Sequence, residues 1–427
     1  MVDHIYAEGS GMKESAGRVL MFVENHFPGD PRVKNEADLL TSAGYFVTVV
    51  GLRGPKESIA SFIVDNIQVY LIPKMTLFTK TRTENPSGVR RLWLKLVALL
   101  GYTWEYFYFT SACFVMSLYV AMKHGFDVIH AHNPPDTLFL VAALYKPFGK
   151  KFVFDHHDLC PELYRSRYKA ESGFLTTMLG VFEKGSLRLA DVTIATNESY
   201  RAIQIERGKV DPGTVFVVRN GPNLRRVAHR TPSERLRRMN KCILCYIGAL
   251  NPQDGVDYLL RSLRDLVYKL NRKDFYCVIM GSGDSYEDLK ALARDLNLEG
   301  YAELTGYVSE EELMSNLSAA DICVDPDPSS PLNDVSTWIK IMEYMALGKP
   351  IVTYDLKETH WSAQDAALYV KPNNEMEFAE GIVQLMDRPD LRARMGEFGR
   401  QRVERDLKWD VVGQNLLHAY KALLRNT

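Results

Sequence analysis

The chain has 427 residues, enough for two or three domains with large cores. Its 46 % hydrophobic and 25 % charged residues are those of an ordinary globular protein, and 52 basic against 53 acidic side chains exclude the basic excess of a dedicated nucleic-acid binder. Six scattered cysteines exclude a disulfide scaffold, and the first residues hold no basic segment followed by an apolar run of signal length, so the chain is expected in the cytoplasm.

Apolar runs of strand length alternate with amphipathic stretches of helix length. Residues 18–23 read as a buried parallel strand, FPGDPRV as the loop after it, and the stretch through Leu39 and Leu40 as a helix ended by Gly44. Residues 46–51 form the next strand, and the right-handed crossover of such a βαβ unit makes its strands neighbours. Strands follow at 128–130, 151–154, 192–195 and 215–218. Beyond a polar, basic linker near 222–240, a second series runs through 242–247, 277–281, 302–306, 322–324 and 350–353. The economical reading is an α/β protein of two doubly wound, Rossmann-like parallel-sheet domains, 1–222 and 223–405, with a helix from Trp409 to Leu424 in the closing segment 406–427. Such sheets bind ligands beyond the carboxyl ends of their strands, so a site is expected in the cleft between them.

Residues 74–126 depart from this pattern. Lys74, Lys80, Arg82, Arg90, Arg91 and Lys95 precede an aromatic stretch from Tyr102 to Phe114, and the run from Tyr106 to Met122 is uncharged. That run is at the short edge of what spans a bilayer, and a crossing would separate the strand at 128–130 from the strand at 19–23 that it must join. The segment therefore reads as a long core helix, as a basic and aromatic surface for an anionic membrane, or as both if one face is core.

The segment PLNDVSTWIKIMEYMALGKPIV, 331–352, has the form of a helix capped by Asp334 or Ser336, ended at Gly348 and followed by a buried strand. Lys340 and Glu343 are three apart and share a helix face, a cation and a carboxylate suited to phosphates and to sugar hydroxyls. Taken with GRVLMFV, FDVIHAHNPPD, VFDHHD, ADVTIATNES, VVRNGP, YIGAL, CVIMGSGDSYEDL, LTGYVSEEEL, AADICVDP and EYMALGKPIV in that order, the chain resembles the GT4 family of retaining glycosyltransferases, with the GT-B fold.

The resemblance implies transfer of a sugar from a nucleotide sugar, UDP- or GDP-linked, to a saccharide or lipid-linked acceptor in cell-surface polysaccharide or glycolipid synthesis, with no tightly bound cofactor and no metal. It implies that His132 lies near the transferred sugar and that Glu343 is the second carboxylate of E-x7-E, on the nucleotide ribose. Gly281, Ser282 and Gly283 match a loop at the diphosphate and sugar, Tyr307 and Val308 follow the turn that frames the base, and Gly29 belongs to a loop closing over donor and acceptor. Two positions depart from the family pattern. Val335 stands where the first Glu of E-x7-E would fall, leaving Asp334 as the nearest carboxylate. The usual Arg and Lys after the first strand of the second domain fall near Ala249 and Asp254, so Lys340 and Arg219 are the expected diphosphate cations.

Asp325-Pro326-Asp327-Pro328 looks like a metal-binding D-x-D but is read as a structural loop, and His130, His156 and His157 as no zinc set. Cys242 and Cys245 are three apart on a strand and read as buried thiols on opposite faces. Two rivals stay open: a sugar-nucleotide epimerase on the same fold, and an inactive scaffold, motivated by Val335 and the missing basic pair.

Overall fold

The computed structural model describes residues 16–54, 59–75, 89–168, 173–222, 224 and 226–425. The first sheet takes eight strands: β1 (Arg18–His26), β2 (Phe46–Leu52), β3 (Ser61–Val64), β4 (Ile67–Ile72), β5 (Val128–His132), β6 (Lys151–His156), β7 (Val192–Ala195) and β8 (Val215–Val217). Their order is β3-β4-β2-β1-β5-β6-β7-β8, parallel except at the β3–β4 hairpin. The second sheet has β9 (Cys242–Ile247), β10 (Phe275–Met280), β11 (Ala302–Gly306), β12 (Ile322–Asp325), β13 (Ile351–Tyr354) and β14 (Ala367–Val370), in the all-parallel order β11-β10-β9-β12-β13-β14.

Alternation along each central strand sorts the cores. Val19, Met21 and Val23 of β1 face one way, onto α1 (Pro31–Ser42) and the helix Gln414–Arg425, while Leu20 and Phe22 face α2 (Val89–Lys123). In β9, Cys242 packs with Leu244 and Tyr246 on one face and Cys245 lies on the other, so the two thiols are separated by the sheet. The 35-residue α2 buries Phe109, Cys113 and Val120 at helical spacing and leaves Phe107, Val115, Leu118 and Met122 exposed, so one face is core. No helix among the described residues is long and apolar enough to cross a membrane, and β5 pairs directly with β1.

The sequence reading differs from the structure in three places. It passed over β3 and β4, which the Asp65–Asn66 turn joins with φ of 49° and 63°, and over the edge strand β14. The helix Ile339–Ala346 is capped neither by Asp334 nor by Ser336: it starts after Trp338 without a side-chain cap, and Asp334 lies in a single 3₁₀ turn, Asn333–Val335. The closing helix comes in two pieces, Trp409–Val412 and Gln414–Arg425, and Leu416, Ala419, Tyr420 and Leu423 complete the core under the first sheet.

Candidate active site

Parallel pairing sets His132, the last residue of β5, opposite Asp155 of β6. The His132 Nδ1–H donates to Asp155 Oδ2 over 2.9 Å, which fixes the tautomer and leaves Nε2 as an acceptor, buried and without a partner among the described residues. Asp155 is held in turn by Arg32, which α1 presents from its first turn because Asp30 caps the helix through the Arg32 and Val33 amides. The guanidinium gives Asp155 two bonds of 2.7 Å and reaches the Val218 carbonyl at 3.1 Å and Asn220 at 2.5 Å. Burial works against the charged carboxylate, but Arg32 and the His132 bond outweigh it and hold Asp155 well below the ordinary aspartate value.

Beneath this pair the network continues. Glu36 lies 3.2 Å from Arg32 and 3.6 Å from His130 Nε2; His130 Nδ1 meets the Tyr420 hydroxyl at 3.0 Å, and the His130 and His132 rings stack with centroids 4.4 Å apart. Burial and then the Asp155 charge raise Glu36 well above the usual glutamate range, while burial lowers both histidines. The two carboxyls thus share one arginine charge, with Asp155 favoured in its ionised form and Glu36 shifted towards its protonated form. Ligating atoms of Glu36, His130, His132 and Asp155 all lie within 4.8 Å of one another, as they would around a metal, but the guanidinium between the two carboxyls already supplies the positive charge. Of the other two histidines of interest, His156 Nε2 faces Glu183 at 3.2 Å, while His157 joins the network, its Nδ1 3.4 Å from Asp155.

Three glycines end neighbouring strands of the second sheet. Gly248 and Gly281 follow β9 and β10, Gly306 is the last residue of β11, and the Gly281 amide donates to the Gly306 carbonyl at 3.0 Å. Gly281 has φ +150°, and a Cβ there would sit 1.8 Å from the Gly248 carbonyl oxygen. A Cβ on Gly283 would meet Leu250 backbone at 2.5 Å, and Ser282 accepts the Leu250 amide at 3.1 Å, so the 281–283 turn lies flat against the loop after β9. Tyr307 is 87 % exposed beyond Gly306, and Val308 packs on the core below it. Across the molecule, Gly29 sits in the loop between β1 and α1, where a Cβ would lie 2.9 Å from His26 Nδ1.

Lys340 and Glu343 do not meet at one spot as their spacing predicts. Lys340 Nζ turns inward to Asp325 at 3.0 Å and Asp327 at 2.7 Å, over the face of Tyr246, while Glu343 pairs with Arg226 of the interdomain connection. Burial pulls the Lys340 pKa down, yet Asp325 and Asp327 overcome it and hold it well above the ordinary lysine value. The D-x-D sequence thus acts as a clamp on Lys340. Arg219 is equally engaged, paired with Glu358 at 3.4 Å and stacked 3.3 Å above the Trp361 ring. Asp334 accepts from Ser329 at 3.1 Å, and the Ser336 hydroxyl donates to the Leu332 carbonyl at 2.7 Å. Both cations expected at the diphosphate are thus paired within the protein, Lys340 with Asp325 and Asp327 and Arg219 with Glu358.

Contacts between the two halves gather around these segments. Asn197 caps α6 (Glu198–Ile203) through its Oδ1 and donates its Nδ2 to the Val335 carbonyl at 2.8 Å and to Thr337 at 2.9 Å. Val335 itself packs with Leu332 against Leu159, Tyr200 and Val215, an apolar contact that a glutamate there would disrupt. Arg167 reaches Asp284, next to the glycine turn, at 2.7 Å. Arg32, Glu36, Tyr420, Asn197 and Arg226 escape sequence reading as site-forming residues, since each acts through a partner more than a hundred residues away, or from one helical turn onto such a pair.

Comparison with known proteins divides the chain at the same seam. Residues 32–226 match the family described as Glycosyltransferase Family 4, and residues 230–402 the family described as Glycosyl transferases group 1. An alpha-D-kanosaminyltransferase of Streptomyces kanamyceticus is 29 % identical over 157 residues, 36 % of this chain and 39 % of that protein. A GDP-mannose-dependent monoacylated alpha-(1-6)-phosphatidylinositol monomannoside mannosyltransferase of Corynebacterium glutamicum is 25 % identical over 207 residues, 46 % of this chain and 53 % of that one. The chain thus spans about half or less of the length of these relatives. Among solved structures, sucrose-phosphate synthase from Thermosynechococcus elongatus superposes with a TM-score of 0.74 at 18 % identity, over 96 % of this chain and 100 % of that one. Anabaena HepE in complex with UDP-glucose gives 0.69 at 15 %, over 95 % and 100 %. Both likenesses are of fold.

Proposed function

The chain belongs to the GT4 family of glycosyltransferases, of GT-B fold, and from that premise we propose that it moves a sugar, with retention at the anomeric carbon, from a nucleoside-diphosphate sugar to a saccharide or lipid-linked acceptor. The observation that carries this reading is His132: a buried imidazole at a strand end, its pKa lowered by burial, its Nδ1–H tied to Asp155 and its Nε2 without a partner among the described residues. Such a group accepts a hydrogen bond from a sugar hydroxyl and adds no positive charge beside the developing oxocarbenium centre.

The 281–283 turn and the strand-end amides beside it would face the diphosphate, with Tyr307 and Val308 at the base. Glu343 would take the ribose hydroxyls once Arg226 swings to the phosphates, and Asp334 with Ser336 would line the donor-sugar end. HepE binds UDP-glucose and the Corynebacterium enzyme is GDP-mannose-dependent, so both bases belong in the trial. We take the acceptor to belong to cell-surface polysaccharide or glycolipid synthesis, with the chain acting in the cytoplasm, at the inner face of the membrane.

The test is a panel of UDP- and GDP-sugars scored for nucleoside diphosphate release, with and without an extract of lipid-linked saccharides. Acceptor-dependent release from one donor, lost in Glu343→Ala, supports the reading. Conversion of the donor without acceptor points to an epimerase, and binding without turnover refutes transfer.

A further inference from the structure

The segment from Leu332 to Thr337 belongs to the second domain by chain order, yet the first domain holds much of it. Leu332 and Val335 are packed into an apolar cluster whose other members, among them Leu159, Tyr200 and Val215, come from the first domain. Asn197 then fixes the direction of the chain there. It is fully buried; its Oδ1 accepts the Tyr200 amide at 2.7 Å, and its Nδ2 donates to the Val335 carbonyl at 2.8 Å and to Thr337 Oγ1 at 2.9 Å. A carboxamide has two N–H donors, and both are used across the domain boundary, so its rotamer and the two residues it grips are set together. Two residues on, Ser199 donates to Glu358 at 2.6 Å, a second grip on the same domain from the same helical turn.

The second domain holds the other end of the segment. Asn333 Nδ2 donates to the Gln253 and Pro328 carbonyls, both at 2.9 Å. Asp334 and Ser336 therefore lie on a stretch strung between two anchors, one in each domain. They alternate with Val335 and Thr337, the residues that Asn197 grips, and helix Ile339–Ala346 begins two residues beyond Thr337. The 281–283 turn and Tyr307 instead follow β10 and β11, which the bonds of Asn197 do not reach.

We infer that Asn197 is a positioning residue for the sugar end of the donor site, holding Asp334 and Ser336 in place from the opposite domain. Buried and with both donors spent, it acts through the segment and not on the substrate. The inference rests on the transferase reading for what Asp334 and Ser336 meet, and goes beyond it in giving a first-domain side chain control of their geometry. It also divides the donor in two. The nucleotide end is built within the second domain, and the sugar end alone depends on Asn197.

The variants are Asn197→Ser, Thr337→Val and Thr337→Ser in the whole chain. Serine caps a helix as well as asparagine does, so Asn197→Ser keeps α6 while being too short to reach Val335 and Thr337. Thr337→Val deletes one acceptor, and Thr337→Ser keeps it. Calorimetric titration with UDP and with GDP reads the nucleotide end, and steady-state transfer from the nucleotide sugar that is turned over reads the sugar end. Nucleoside diphosphate affinity should stay within about twofold of wild type while kcat falls about ten- to a hundredfold in Asn197→Ser, because a misplacement of about 1 Å at the reacting groups costs up to that much. Thr337→Val should lose less, and Thr337→Ser almost nothing. The double variant Asn197→Ser with Thr337→Val should match Asn197→Ser alone, since the two changes remove one shared bond.

An unchanged kcat in Asn197→Ser overturns the inference. So do parallel losses of nucleotide affinity and turnover, or losses that multiply in the double variant, because a residue that only supports the fold gives those results. Should Asn197→Ser fail to fold, Thr337→Val against its serine control decides in the same way. If the wild type turns over no nucleotide sugar, the transferase reading has failed by itself, and hydrogen exchange reads the tether. Faster exchange at 334–338 in Asn197→Ser, with 198–203 unchanged, keeps Asn197 as the holder of the segment; unchanged exchange at 334–338 overturns it.

Discussion

Replacing Asp155 by asparagine tests the ion-pair network at its centre. The wild-type carboxylate takes two 2.7 Å bonds from Arg32 and one of 2.9 Å from His132, all buried. Removing one partner of a buried pair costs about 3–5 kcal/mol, because the other charge stays inside without compensation. Here a substitute is at hand: Glu36 lies 3.2 Å from the same guanidinium, and one of the causes holding it protonated, the Asp155 charge, disappears with the mutation. Asp155→Asn should therefore lose about 3 kcal/mol at neutral pH, the low end of that range, with Glu36 ionised in its place.

The sign of the pH dependence follows. In the wild type, Asp155 has a depressed pKa, so its contribution is present above the unfolded value and survives mild acid. In the variant the ionised carboxyl is Glu36, whose burial keeps its pKa above the unfolded glutamate value, so the folded variant takes up a proton and gains stability as pH falls through that pKa. Wild-type Glu36, raised further by the Asp155 charge, is protonated from a higher pH and gains stability over the whole descent, so the gap between the two proteins must widen on mild acidification. Urea unfolding at neutral and mildly acid pH reads this, and nitrogen NMR of His132 should show the Nε2–H tautomer in the variant. A loss under about 1 kcal/mol, or a gap that does not widen, would falsify the shared-arginine description.

Gly281→Ala should cost at least about 2 kcal/mol in urea unfolding and abolish nucleotide-sugar binding, since its Cβ would stand 1.8 Å from the Gly248 carbonyl; an unperturbed variant refutes the strand-end packing. Lys340→Met should lose about 3–5 kcal/mol by stranding Asp325 and Asp327, and adding Asp325→Asn with Asp327→Asn should restore most of it; no restoration means the clamp is not the cause. The pH profile of kcat/KM should stay flat from neutrality down past the ordinary histidine value of about 6.5, because burial holds His132 neutral below it; a fall centred at or above that value contradicts the assignment.

Both sheets were legible in the sequence because buried parallel strands read as apolar runs, and β1, β2, β9 and β10 are of that kind. The hairpin β3–β4 was not, since SFIV alternates only briefly and its signal was the Asp65–Asn66 turn. At the site, sequence named the strand ends (His132 and the 281–283 turn) through motif order, and the structure puts them on β5 and after β10. It erred on Lys340 and Glu343, where helical spacing gives a shared face but says nothing of which neighbours claim the side chains. The acids that claim Lys340 were themselves noticed, as D-x-D, without their partner. A pairing between residues thirteen or more apart is a tertiary fact, and periodicity carries none of it.

The helix Gln414–Arg425 returns to the core from which the chain set out, after Val403 and Leu407 have packed in the second domain. In topological terms the second domain is an insertion into the first, joined to it by two passages of chain that touch: a Cβ on Gly221 would fall 2.7 Å from the Leu407 carbonyl. Two adjacent tethers make a hinge with an axis, where one would make a swivel. Such an axis confines any relative motion of the halves to opening and shutting, and a second domain exchanged between relatives has to be cut at both tethers, leaving the last helix with the first domain.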